Sequence, residues 1–164
     1  MTMTIKRLKS TSGFTLVEVM LAIFILLVAV LGASGYRYYA ALDARKADLQ
    51  TTAARTASLL CESWRGVSDP NTFDPTQLAT GDPNSALAIE TGYDGHDGPA
   101  VPADFTPLGI YRITIDGVNY YAVLSWKDIS QGLRALNVIV AWNPRGSQSE
   151  LPDKSFKLTT YIAN

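Results

Sequence analysis

Two residues four apart near the start of the chain, Phe14 and Glu18, could meet as an amine and a carboxylate. Glu18 opens an apolar run in which no charged residue occurs from Val19 to Tyr36. That length is close to the ~20 apolar positions a bilayer-spanning helix needs. A charge in hydrocarbon costs on the order of 2.5–3.5 kcal/mol on insertion scales, so an unpaired carboxylate there is a liability. Cutting the chain after Gly13 would supply a partner. Phe14 would gain an α-amino group, mostly protonated at neutral pH. Glu18 would then lie one helical turn away, near the positive end of the helix dipole. The same amine could instead reach Glu18 of a neighbouring copy and set a register between helices packed side by side.

Elsewhere the residue types that carry chemistry are thinly spread. His96 is the single histidine and lies in Gly92-Tyr93-Asp94-Gly95-His96-Asp97-Gly98. Asp94 and Asp97 are the calcium candidates of the chain. An EF-hand, however, needs oxygen ligands at several fixed positions and a bidentate glutamate at the twelfth, and neither is present. The segment reads as a solvated glycine-rich turn, and no metal or cofactor is expected. Cys61 is the single cysteine, so cysteine-type zinc and iron–sulfur centres are excluded, as is an internal disulfide. Beside Leu60 it reads as a buried apolar filler. No nucleophile elbow, phosphate-binding glycine loop or paired-histidine motif occurs. Catalysis has no visible carrier, and the expected role is structural rather than enzymatic.

The elements that must position these residues follow in chain order. Residues 1–13 are polar and basic, with Lys6, Arg7 and Lys9. From Phe14 a helix is expected to run to about Arg65, apolar on all sides over 14–36 and amphipathic over 37–65. Leu42, Leu49, Ala53, Ala57, Leu60 and Trp64 form one stripe of a 3.6-residue period. Gly32 and Gly35 each cost roughly 1 kcal/mol relative to alanine in a helix interior; close packing or a mild kink would explain them, as would a segment that loosens in function. Tyr36, Tyr38 and Tyr39 suit an interfacial belt, and Gly66 suits a helix stop. Residues 66–108 hold six of the eight prolines and seven acidic residues with no lysine or arginine. Asp74-Pro75 there suggests a short helical turn, and Ser85 to Glu90 a further element. Over 109–164, Ile110–Ile115 and Asn119–Trp126 flank the hairpin signal Asp116-Gly117. Leu133–Trp142 and the strand carrying Phe156, Leu158, Thr160 and Ile162 complete an antiparallel sheet of about four strands. The fold class is α+β, the distal half of the long helix packed on that sheet.

Lys6, Arg7, Lys9, then Gly13-Phe14-Thr15-Leu16-Val17-Glu18 and an apolar helix resemble the class III leader of type IV pilins and type II secretion pseudopilins. The resemblance covers residues 1 to about 36. It implies cleavage by prepilin peptidase between Gly13 and Phe14, N-methylation of Phe14, and an assembly role for Glu18. It implies as partners that peptidase and methyltransferase, other pilin or pseudopilin subunits, an inner-membrane assembly platform and the lipid bilayer. Localisation would be the inner membrane, single-pass with the domain outside the cytoplasm, then a periplasmic or cell-surface filament. Many pilins close a C-terminal loop with a disulfide. This chain cannot, which favours a minor subunit.

Two other readings of the N-terminus compete. Ala33-Ser34-Gly35 could serve as a secretory cleavage site, although Glu18 at the front of the apolar region fits such a signal poorly. The helix could also be an uncleaved anchor of an extracytoplasmic binding domain. Lysine and arginine counts do not orient the span, because Arg37, Arg45 and Lys46 flank its far end. The charge balance bears on partners. Taking Lys6, Arg7 and Lys9 from the 14 basic side chains leaves 11 against 15 acidic ones. Such a mildly acidic chain argues against nucleic-acid binding through a general basic face.

Overall fold

The computed structural model describes residues 15–79, 87–92, 98–144 and 152–163. One helix, α1, spans Leu16–Arg65. The chain divides within it into two compact units, Met1–Ala44 and Arg45–Asn164.

In the first unit α1 has no covering layer among the described residues. Its large apolar side chains from Leu16 to Leu31 are all exposed, Leu16 at 79% and Phe24 at 65%. This is the stretch long and apolar enough to cross a membrane. A helix that is apolar all round and unburied has bilayer or another helix as its stable surroundings. The helix runs unbroken through Gly32 and Gly35, where an added Cβ would meet nothing within 4 Å. Packing within this chain therefore does not require those glycines. Ser34 Oγ donates to the Val30 carbonyl at 2.8 Å, which satisfies a hydroxyl in apolar surroundings through the helix's own backbone. Leu42, expected on the buried stripe, is 38% exposed.

In the second unit the stripe becomes a core. Leu49, Ala53, Thr56, Ala57, Leu60, Cys61 and Trp64 are buried. Ala53 and Ala57, both fully covered, allow the helix backbone to approach the sheet closely. Thr56 sits within this stripe because its Oγ1 donates to the Thr52 carbonyl at 2.8 Å, removing the cost of an unsatisfied buried hydroxyl. The helix stops at Gly66, whose N–H donates to the carbonyls of Glu62 and Ser63 at 3.1 and 3.2 Å.

The sheet is an antiparallel meander of five strands in sequence order. They are β1 (Leu87–Thr91), β2 (Thr106–Ile115), β3 (Val118–Ser130), β4 (Leu133–Trp142) and β5 (Lys154–Ala163). β1 is the strand added to the four expected, and it lies where the sequence suggested a further element. Asp116 and Gly117 both take positive φ, 49° and 76°, the primed geometry whose twist suits a two-residue hairpin. Tyr111, Ile113, Tyr120, Ala122, Leu124, Leu136, Val138 and Val140 face the helix and form the core with it. Phe156, Leu158 and Ile162 pack on its margin. At Gly109 an added Cβ would come within 2.6 Å of the Tyr111 hydroxyl, so any side chain there would require the Tyr111 ring to shift.

The opposite face of the central strands carries a polar ladder. Asn137 Nδ2 donates to Ser125 Oγ, and Thr159 Oγ1 donates to Asn137 Oδ1, both at 3.1 Å. Ser125 and Asn137 are fully buried. A one-residue slip of either neighbouring strand would leave these groups unpaired, so the ladder adds a polar term to register choice.

Two 3-10 turns, Pro70–Thr72 and Pro75–Ala79, follow the helix. Asp69 and Asp74 cap them, accepting from the N–H groups of Asn71 and Thr76 at 3.0 Å. The second is the turn expected at Asp74-Pro75. Trp64 Nε1 donates to the Pro70 carbonyl at 2.7 Å, and its ring stacks on Phe73 at 6.0 Å. Arg134 holds the same segment from the sheet. Its guanidinium is 4.0 Å from the Trp126 ring centre, donates to both oxygens of Asp128 at 2.7 and 3.2 Å, and reaches Asn71 Oδ1 at 2.9 Å.

Candidate processing and assembly site

Gly13 and Phe14, where cleavage and methylation are expected, lie outside the described residues. Glu18 is in the first turn of α1 and exposed. Its N–H donates to Thr15 Oγ1 at 3.3 Å and to the Thr15 carbonyl at 3.0 Å. The Val19 N–H donates to the same carbonyl at 3.2 Å and begins the helical ladder. Thr15 is thus the N-cap and Glu18 the third helical residue. Thr-x-x-Glu is the capping-box spacing, in which the glutamate can reach back to the amide of the capping residue. The sequence reading passed over Thr15, although this pattern ahead of an apolar run was its signal.

Two uses therefore meet at Glu18. One is local, neutralising donors at the start of the helix and the positive end of its dipole. The other, expected from the sequence, would be as partner for a cationic amine.

The other candidates do not gather into a site. Asp94, His96 and Asp97 lie outside the described residues, and among the described residues no group of three or more His, Cys, Asp or Glu could hold a metal. Cys61 is buried, and that burial pushes its thiol above the ordinary 9.0, with Glu62 adding to the effect. Such a thiol is a poor nucleophile, since the thiolate is the reactive form. A groove of about 310 Å³ at the helix exit is lined by Ser63, Val67, Phe73, Asp74 and Gln77 among others. Its carboxylate, Asp74, is held below the ordinary carboxylate range by the Thr76 N–H.

Compared with known protein families, the chain matches the prokaryotic N-terminal methylation motif over residues 8–34. No curated protein and no solved structure matches it. The matched segment contains Gly13, Phe14, Thr15 and Glu18 and most of the uncovered apolar helix. It is the segment that marks the type IV pilin and pseudopilin family, and with it stands a pilin-like layout of one long N-terminal helix on an antiparallel sheet.

Proposed function

We propose that this protein is a structural subunit, of the minor kind, in a type IV pilus-like filament or type II secretion pseudopilus. The observation that carries the reading is the methylation motif on residues 8–34, seated on a helix whose large apolar side chains from Leu16 to Leu31 are exposed among the described residues. Prepilin peptidase would cut between Gly13 and Phe14 and the new amine would be methylated. The helix would hold the subunit in the inner membrane, with Arg45–Asn164 on the far side, until an assembly platform passes it into the filament. There Glu18 would meet a Phe14 amine, its own or a neighbour's, in a setting of low dielectric where the attraction is strong.

The mature N-terminus tests this. Mass spectrometry of the protein from its native membrane should find N-methylated Phe14. An intact Met1 would mean a plain anchor, and a start at Tyr36 would mean release by signal peptidase. Replacing Gly13 with a bulky residue should leave full-length precursor in the membrane, because the cut needs an uncrowded backbone there.

A further inference from the structure

We propose that the band Tyr36–Tyr39 docks on anionic phospholipid headgroups, with Arg37 as the residue that selects their charge. The inference rests on the reading of α1 as a membrane span. From Glu18 to Arg37 the helix rises roughly 28 Å at 1.5 Å per residue, close to the ~30 Å thickness of a hydrocarbon core. When Glu18 sits at one boundary, Arg37 is therefore carried to the other. Tyr36, Tyr38 and Tyr39 are 77%, 64% and 68% exposed, and the last two meet edge to face at 5.8 Å. Successive positions about 100° apart distribute these rings around the helix, so they form a girdle at one depth instead of a patch on one side. Amphipathic rings of this kind favour the headgroup level. Arg37 is exposed within the girdle and has no ion-pair partner among the described residues. Its planar fork matches a phosphate in geometry as well as charge.

The leader gives this arginine a further consequence. Lys6, Arg7 and Lys9 are the only lysines and arginines before residue 37, so a chain cut after Gly13 has Arg37 as its first basic side chain. Processing would then move the attraction for anionic lipid from the leaflet facing the leader to the leaflet facing the domain.

The test uses the full chain in vesicles of phosphatidylcholine and phosphatidylglycerol, with spin-labelled forms of each lipid reporting which one borders the helix. In a chain carrying Lys6→Gln, Arg7→Gln and Lys9→Gln, phosphatidylglycerol should be preferred by about fivefold, the worth of one basic side chain at an anionic surface. High salt should weaken that preference. Adding Arg37→Gln should bring it to unity, and Arg37→Lys should keep it. A preference unmoved by Arg37→Gln overturns the proposal. So does an Arg37→Gln chain that loses self-association while its bordering lipids stay the same, since that outcome assigns Arg37 to a second copy. Absence of any bordering-lipid signal from the native chain overturns the membrane-span reading itself.

Discussion

The helix-capping role and the proposed charge-pairing role of Glu18 are separable, and the side chains that replace it can tell them apart. At an effective dielectric near 20, opposite charges about 4 Å apart attract by roughly 4 kcal/mol before desolvation. Removing one partner leaves the other buried and unpaired, which harms more than removing both. Glu18→Ala should be processed and inserted as well as the native chain but be depleted from sheared filaments relative to total mature subunit. Glutamine serves a capping box as glutamate does, yet carries no charge. If Glu18 acts by its charge, Glu18→Gln should fail as Glu18→Ala does; filaments restored by Gln would leave only the helix cap. A second residue-scale outcome concerns alkaline pH. Burial raises the Cys61 thiol, and burial first and Asp74 second raise the Tyr111 phenol. Burial also leads the rise at Tyr120, with Asp48 and Asp116 adding to it and a bond to Thr52 opposing. Each group is held in its neutral form by the fold. The stability this contributes is whole below the ordinary values of 9.0 and 10.0 and falls as pH rises through them. Urea midpoints of the native chain should decline above about pH 9; Cys61→Ala should flatten the first part of that decline.

Among the elements, the joint between the helix exit and the sheet depends on Arg134. The guanidinium is buried, its partner Asp128 is half exposed, and a third contact reaches Asn71, 63 positions away. Arg134→Ala should cost about 2–3 kcal/mol, the range of hydrogen bonds to charged groups together with a partly desolvated cation–π contact. Asp128→Ala should cost less, because water already reaches that carboxylate. The double variant should fall short of the sum, since both singles remove the same pair; strict additivity in urea unfolding would mean the pair contributes nothing. This joint also shows where sequence reading stops. Strands β2 to β5 were legible because their apolar residues alternate and Asp116-Gly117 can take a primed turn. The helix stripe was legible from Leu49 to Trp64 for the equivalent reason, a period near 3.6. β1 was faint because it has five residues and one buried side chain, Ile89, in an acidic, proline-rich stretch. Arg134 lies in register with Leu136, Val138 and Val140, so alternation alone places it on the core face; its partner Asn71 follows only from the fold. At the candidate site, Glu18 was legible as a lone charge in an apolar run, whereas the amine proposed as its partner would exist only after cleavage.

At the scale of the whole chain, apolar surface is divided unequally between the two units, and this separates an anchor from a domain. The large apolar side chains left exposed cluster at Leu16–Leu31, while Arg45–Asn164 buries its own stripe, from Leu49 to Trp64, against the sheet. Exposed apolar surface of that extent is rare on soluble monomers. Burying it in a bilayer is favourable by roughly 25 cal/mol for each Å² removed from water. The second unit has a closed core of its own and one cysteine, so no disulfide contributes to it. Residues 45–164 expressed alone should therefore stay in solution without detergent and unfold in one cooperative step. The full chain should sediment with membranes and need detergent for extraction. A reducing agent should leave the melting temperature of residues 45–164 unchanged. Removing the helix contribution gives the reciprocal control: Leu60→Ala, a fully buried leucine at the centre of the stripe, should lower stability by about 2–5 kcal/mol. If residues 45–164 aggregated in water while the full chain in detergent unfolded cooperatively, the second unit would depend on the first for its core. The division of labour between anchor and domain would then be wrong.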